Sequence, residues 1–288
     1  MNEGKIPTKI NSGTEEETDF RDIYSDFAST VYGQILNKNA RYIPYKPESV
    51  SNQEWEKLLG VDINNLKHLK LSYGITRQFI RYFNTHSESM EESRAEGVLT
   101  EKEQEDLLLT AIVHDWAEAI VGDIPFDQKT KAHGKEEYRK LKEMARNMFK
   151  GKNDALLERI NNIADKVIDH TETKLGSIFN AIERLGYVRT ALRAWQASKN
   201  SPKELQIHLY WLTVNVLPNQ LAKLIEYSKL YYPVKLFLQE NQELIQNALN
   251  NLPEDAFQKY KPEEVEGKRK LFEEGRKKWF EFKETIRT

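Results

Sequence analysis

Residues 111–125 read AIVHDWAEAIVGDIP and combine an apolar helical run with several titratable side chains. The dipeptide His114-Asp115 comes late in this run. Glu118 follows one helical turn after His114, so both side chains face the same way. An elbow or a wide helical turn would aim His114 and Asp115 at one divalent ion. A glycine then ends the predicted helix, and Asp123 comes directly after it, near the rim of this group.

This stretch resembles the signature of the HD-domain metal-dependent phosphohydrolases. It is most similar to the branch that contains the bacterial 5'-deoxynucleotidases, in which the signature reads H-D-x-x-E-x-x-x-G-D-[IL]-P. A buried histidine beside a helix-capping aspartate would leave the glutamate and the Gly-Asp-Ile-Pro ending unexplained, so we predict a metal site here. Every position of the pattern is filled, by His114, Asp115, Glu118, Gly122, Asp123, Ile124 and Pro125.

The composition is that of a well-hydrated globular protein. Of 288 residues, 39% are hydrophobic and 31% are charged, and the formal net charge of -2 calls for neither nucleic acid nor an anionic membrane as a partner. The absence of cysteine excludes disulfides, thiolate metal sites and cysteine nucleophiles. The N-terminal segment lacks an apolar signal core, and no apolar run approaches the ~20 residues that cross a bilayer. We therefore expect a cytoplasmic protein with no membrane partner.

Hydrophobic periodicity predicts an all-α fold. Apolar residues recur at helical spacing in segment after segment, and no stretch shows the sustained alternation of a β-strand. The helix that carries His114 is predicted to begin at a capping box formed by Thr100 and Glu103. A polar N-terminal stretch over residues 1–18 is predicted to be a disordered tail. We predict a single helical domain over residues 19–288.

The resemblance places an HD-domain helical bundle at about residues 66–200, with extra N-terminal helices and a C-terminal helical extension at about 201–288. It implies four metal ligands from three helices: an early histidine, the His-Asp pair and a late aspartate. His68 opens an apolar helix upstream of the pair and is the predicted early ligand, with His86 at the end of the same helix as the alternative. The cofactor is predicted to be one divalent ion. Mixed imidazole and carboxylate ligands suit Mn, Co, Fe, Ni or Zn, and Mg stays open.

The late ligand departs from the pattern of the family. The long helix predicted at residues 177–197 contains no aspartate. Glu183, in the sequence AIERL, supplies a carboxylate that is one methylene longer. We predict it as the fourth ligand, because a charged oxygen holds a hard dication better than a neutral one. Asn180, one turn earlier, and Asp169, at a helix end, stay as alternatives.

The resemblance also implies the roles of residues around the metal. In the similar deoxynucleotidases the matching carboxylates lie beside the attacking water and the sugar, so Glu118 and Asp123 are the predicted catalytic residues. Lys129 and Lys131, in the loop that follows, are predicted to contact a phosphate. Relatives often carry an Arg-Trp pair before the first histidine, whereas the residues before His68 read VDINNLK. The choice of substrate is therefore open.

The predicted function is that of a metal-dependent phosphohydrolase that removes phosphate from a nucleotide by means of a metal-activated water. The predicted substrate is a (deoxy)nucleoside 5'-monophosphate. One alternative is an HD hydrolase of a nucleoside triphosphate or a signalling nucleotide. Another is a degenerate HD bundle that binds a ligand without catalysis. The aromatic residues Trp195, Tyr210 and Trp211 are predicted to be core, with a homodimer face as the alternative.

Overall fold

The computed structural model describes residues 6–10, 18–60, 64–86, 98–124 and 129–286. Helices dominate these residues, which confirms the predicted all-α class. Within the described ranges, the only strands are the antiparallel pair β1 (Lys9–Ile10) and β2 (Thr18–Asp19). Short 3-10 helices cover Ile43–Tyr45 and Glu254–Phe257. The α-helices are α1 (Phe20–Ser29), α2 (Val31–Lys38), α3 (Asn52–Leu59), α4 (Asn65–His86), α5 (Glu101–Val113), α6 (Glu118–Val121), α7 (Lys131–Phe149), α8 (Asp154–Lys166), α9 (Lys174–Ser198), α10 (Lys203–Leu230), α11 (Tyr232–Glu240), α12 (Gln242–Asn250) and α13 (Pro262–Ile286).

The chain forms two compact units, each built from segments that are separate in sequence. The first unit draws on residues 1–41, 61–85 and 96–182, and it contains the His-Asp pair. The second unit draws on residues 42–60, 86–95 and 183–288. Among the described residues, no helix has both the length and the apolar character that a membrane span requires.

The N-terminal strand lies within the stretch predicted to be a disordered tail. Residues 6–10 and Thr18 of that stretch are described, and Ile10 is fully buried while its backbone pairs with Thr18. Burial of the Ile10 side chain stabilises the packing of this segment against the first unit. The rest of the predicted tail, residues 1–5 and 11–17, lies outside the described residues.

Helix α5 lies at the centre of the first unit. It begins at Thr100, whose hydroxyl accepts from the backbone N–H of Glu103, while the Glu103 carboxylate accepts from the backbone N–H of Thr100. This is the predicted capping box. Every residue of the stretch 107–113 is buried, as expected for a helix that is apolar on all sides. Helix α5 packs against α1 and α8.

Helix α5 ends earlier than the sequence predicts, at Val113 instead of Gly122. From there the backbone N–H groups of Trp116 and Glu118 bond to the carbonyls three residues back, at Val113 and Asp115, with N···O distances of 3.1 and 3.0 Å. This tighter winding separates α5 from α6. Gly122 then closes α6 with a φ of +84°, in the region that favours glycine.

A stacked pair of aromatic rings anchors the turn between α5 and α6. Trp116, completely buried, lies parallel to the ring of Phe27 on α1, with 4.3 Å between centroids and 2° between planes. Phe149, the last residue of α7, also stacks on the Trp116 indole, with 6.4 Å between the ring centroids. The apolar core of the first unit therefore fixes the backbone that carries His114 and Asp115.

The second unit is organised around α10, which packs against α11 and α13. Gly275 permits the close approach of α13, since a Cβ added there would lie 2.7 Å from Cβ of Pro218 on α10. Trp195 is buried, in agreement with its predicted core role, whereas Tyr210 and Trp211 are half-buried. A homodimer stays an untested alternative.

Candidate metal centre

The structure brings together the side chains of His68, His114 and Asp115. One ligand atom from each lies within 4.8 Å of the other two, and this is the one such group among the described residues. The Nε2 atoms of His68 and His114 lie 3.6 and 3.3 Å from Oδ2 of Asp115. Two imidazole nitrogens and one carboxylate oxygen form a donor set that suits a divalent transition metal.

His68 projects from the first turn of α4 and is 8% exposed. Burial lowers the pKa of His68 well below its usual value, and the nearby charge of Arg41 lowers it further, against the opposing effect of Asp115. The ring is therefore neutral at neutral pH, which is the form that binds metal. The hydroxyl of Ser72, one turn later, lies 3.3 Å from Nε2 of His68.

The rival early histidine, His86, lies at the opposite end of α4 and belongs to the second unit. Its ring stacks on Tyr232 with 4.3 Å between centroids. His86 is not part of the group of possible metal ligands, whereas His68 is.

His114 lies directly after the last residue of α5, and aromatic rings confine it. The edge of its ring meets His68 at 5.5 Å and Phe179 on α9 at 5.2 Å between centroids. The His114 side chain is 3% exposed. Packing on two sides fixes the direction of the imidazole, which is what a metal ligand on a short turn requires.

Arg41 is a residue of this site that was not predicted from the sequence. Its guanidinium is 6% exposed, and Nη1 lies 2.8 Å from Oδ2 of Asp115 and 3.8 Å from Oε2 of Glu118. Burial alone would raise the pKa of Asp115, but His114, Arg41 and His68 together hold that pKa well below its usual value. Asp115 is therefore ionised and ready to bind a cation.

A signal for Arg41 was present in the sequence. Arg41-Tyr42 is an arginine followed by an aromatic residue, upstream of the first histidine, as in the Arg-Trp pair of relatives. The pair stands in the loop after α2, separated from His68 by α3 and a further connection, and not in the stretch that immediately precedes the histidine.

Glu118, the first residue of α6, is 9% exposed and, like Asp115, lies near Nη1 of Arg41. Burial, followed by the charge of Asp115, raises the pKa of Glu118 well above its usual value, against the opposing charge of Arg41. The side-chain amide of Asn65 donates to Oε2 of Glu118 at 2.7 Å. An asparagine at the start of a helix is usually interpreted as a helix-capping residue, so nothing in the sequence predicted that Asn65 belongs to this site.

Asp123 lies directly after the glycine that ends α6 and is exposed. Its charge is one of those that raise the pKa of Glu118, which places the carboxylate near the site. Pro125, the last residue of the signature, lies outside the described residues. The catalytic role of Asp123 stays a prediction.

The two predicted phosphate-binding lysines differ in their surroundings. Nζ of Lys129 lies 2.5 Å from Oε2 of Glu137 on α7, and the Lys129 side chain is 33% exposed. Burial lowers the pKa of Lys129, but Glu137, Asp169 and Asp115 outweigh it and raise that pKa. A cation therefore lies within electrostatic reach of the histidine and aspartate group. Lys131, the first residue of α7, is exposed.

The fourth ligand stays open. Asp169 adopts a φ of +60° and lies beside Gly134, whose added Cβ would be 4.0 Å from Oδ2 of Asp169. It is absent from the group of three ligands that the described residues form. Glu183 belongs to the second unit, and its role, like that of Asn180, stays a prediction.

We expect Arg41→Lys to lower the free energy of unfolding and the activity together. Lysine keeps the charge, but its ammonium group on a flexible stem does not reproduce the position of Nη1 of Arg41, which lies near both carboxylates. A buried acceptor left without its donor costs about 1–3 kcal/mol. Urea denaturation measures the stability, and phosphate release measures the activity.

Arg159→Lys provides a matched control for Arg41→Lys. Arg159 is also largely buried and also bridges two carboxylates, with Nη1 2.6 Å from Glu105 and Nε 2.6 Å from Asp106. It lies outside the group of possible metal ligands. The control is expected to lose comparable stability and to keep its activity. Equal losses of activity in the two variants would assign Arg41 a purely structural role.

Comparison with known proteins supports the resemblance at the level of the superfamily. A family model described as an HD domain matches residues 93–216, a range that includes His114, Asp115 and Glu118. The match covers less than half of the chain and supports the resemblance to the HD-domain superfamily. No curated protein and no solved structure matches the chain.

Proposed function

We propose that this protein is a metal-dependent phosphohydrolase that removes phosphate from a (deoxy)nucleoside 5'-monophosphate. The observation that carries the proposal is the meeting of His68, His114 and Asp115 within 4.8 Å inside an HD-type helical bundle. A divalent metal would explain why two imidazoles and a carboxylate converge at one point.

The residues present fit a divalent metal ion. His68 is held neutral and Asp115 is held ionised, so both are in the states that bind a cation. We propose Glu183 as the fourth ligand. When bound, the ion would acidify a water molecule and polarise the phosphoryl group.

Glu118 is proposed to accept the proton of the attacking water. A general base works best when its pKa is near the working pH, and burial moves the pKa of Glu118 in that direction. Arg41, between Glu118 and Asp115, brings positive charge to the place where negative charge develops on the phosphate. Asp123, at the exposed end of α6, is proposed to act on the sugar side of the substrate.

The nucleotide class follows from the resemblance and from the charges around the site. Arg41 and Lys129 supply cations near the ligand group, while the formal net charge of the chain is -2. Local positive charge in a neutral chain suits a small anionic substrate better than a nucleic acid polymer.

We expect Lys129→Ala to raise KM by about tenfold, because loss of one phosphate contact worth ~1.4 kcal/mol corresponds to that factor. The value of kcat should change little if Lys129 binds the substrate and the transition state alike. Steady-state kinetics on the best monophosphate measures both. Lys135→Ala, an exposed lysine on α7 with no predicted phosphate contact, serves as the control. A larger effect at Lys135 than at Lys129 would contradict the assignment.

A panel of nucleotides tests the proposed function directly. Purified protein is stripped with a chelator, supplied with Mn, Co, Zn or Mg, and assayed for phosphate release from nucleoside mono- and triphosphates. Monophosphates should be hydrolysed, deoxynucleotides among them. Release of triphosphate or pyrophosphate would favour the alternative HD hydrolase. Metal binding without hydrolysis of any substrate would favour a degenerate bundle that only binds.

A further inference from the structure

Asn65 is a fully buried residue whose side chain does not make the capping hydrogen bond of its own helix. It is the first residue of α4, and the capping hydrogen bond is made by its neighbour, since Oδ1 of Asn64 accepts from the backbone N–H of Lys67 at 2.9 Å. The side-chain amide of Asn65 instead reaches a residue 53 positions away, donating from Nδ2 to Oε2 of Glu118 at 2.7 Å.

The other polar atom of the same amide is buried and lacks a donor. Oδ1 of Asn65 has no hydrogen-bond partner among the described residues, and the residue is 0% exposed. Buried carbonyl oxygens are nearly always paired with protein or water. Because Oδ1 and Nδ2 share one planar group, this unmatched acceptor lies beside the Glu118 carboxylate. A donor from a water or a ligand is therefore expected there.

We infer that Asn65 is a positioning residue for Glu118 and the attacking water. Its N–H group holds one oxygen of the Glu118 carboxylate, so that the other oxygen faces the water. Its carbonyl oxygen accepts the second hydrogen of that water. Two acceptors for two hydrogens fix the orientation of the water and aim a lone pair at phosphorus. This inference rests on the proposed function.

The chemical step balances with these groups. Glu118 takes one proton from the water, and the water oxygen forms a new bond to phosphorus. The bond from phosphorus to the ester oxygen breaks with its electron pair on that oxygen, which then takes up a proton from Glu118 or solvent. Asn65 exchanges no proton, since an amide only donates and accepts hydrogen bonds here.

The first test is a double-mutant cycle of Asn65→Leu and Glu118→Gln. Asn65→Leu should lower kcat by about 10- to 100-fold, the range for outer partners of functional groups. KM and metal content should stay as in the wild type. In the Glu118→Gln background the same change should have a much smaller effect on kcat, because the water that Asn65 and Glu118 orient together then has no carboxylate to take its proton. Independent, multiplied losses would overturn the inference.

Two further variants separate positioning from folding. Asn65→Asp keeps the size of the side chain, but it replaces the N–H donor with an oxygen and adds a carboxylate beside Glu118. It should therefore also lose kcat even if Asn65→Leu fails to fold. Asn64→Leu is the matched control, since Asn64 is buried next door but bonds to Asn37 of α2. It should lower the melting temperature and leave kcat unchanged. A loss of kcat at Asn64 equal to that at Asn65 would overturn the inference.

A readout without turnover distinguishes this inference from the proposed function. Urea denaturation of the metal-free wild type, both single variants and the double variant measures whether Asn65 and Glu118 stabilise each other. The two losses should be less than additive, as for residues joined by a hydrogen bond. Additive losses would overturn the contact itself, whereas a wild-type protein that hydrolyses nothing would overturn the proposed function.

Discussion

Replacing Asp115 with alanine is expected to abolish both metal binding and phosphate release. Asp115 supplies the carboxylate of the ligand group, and it contacts His114, His68 and Arg41 at once. Changes to the outer partners of metal ligands already cost about 10- to 100-fold in affinity or activity, so loss of a ligand should exceed that range. Metal analysis after dialysis and phosphate release at saturating metal measure the two effects.

Asp165→Ala is the control for Asp115→Ala. Asp165 is another aspartate of the first unit. It lies on α8 with a side chain 42% exposed, paired with Lys142 at 2.8 Å. Its replacement should change neither metal content nor activity. Hydrolysis that survives Asp115→Ala would rule out the metal mechanism.

Glu118→Gln is expected to lower kcat by about a hundredfold to ten-thousandfold while the metal stays bound, because general base catalysis contributes that much. Glutamine keeps the shape of the side chain and can still accept from Asn65, so the fold around it should persist. Single-turnover phosphate release and metal analysis separate the chemical step from metal loading.

Glu105→Gln is the control for Glu118→Gln. Glu105 is likewise buried, at 8% exposure, and pairs with a buried arginine, Arg159, in the same unit. Its replacement should lower stability without a selective loss of kcat. If Glu118→Gln keeps wild-type kcat, another group accepts the proton, and Asp123 is then the residue to replace.

The sequence predicted the parts of this protein that depend on local pattern. Hydrophobic periodicity and the capping box identify α5 and its start at Thr100. The His-Asp signature identifies two of the three residues in the group of possible metal ligands. His68 could be found because it opens an apolar helix, and the structure brings it to the pair. These features could be predicted from the sequence because each depends on a few neighbouring residues.

The contacts made by Arg41 and Asn65 escaped prediction for a physical reason. Arg41 lies 74 residues from Asp115, and Asn65 lies 53 residues from Glu118. No periodicity links such positions, since the packing of separate elements alone decides that they touch. The break after Val113 escaped for a related reason. In the sequence, the apolar run continues through Trp116 to Val121. The change to tighter turns depends on the packing of the Trp116 indole against Phe27.

The stacking of Trp116 on Phe27 bears on whether a metal ion binds before or after the chain has folded. In a zinc finger the ligands are scattered until the metal gathers them, and folding waits for the ion. Here Trp116, the residue that follows Asp115, is buried in the apolar core and stacked on Phe27. The chain can therefore fold without a bound metal. A metal ion would then bind after folding and could exchange, and we expect the identity of the bound element to depend on which divalent metals the cell supplies.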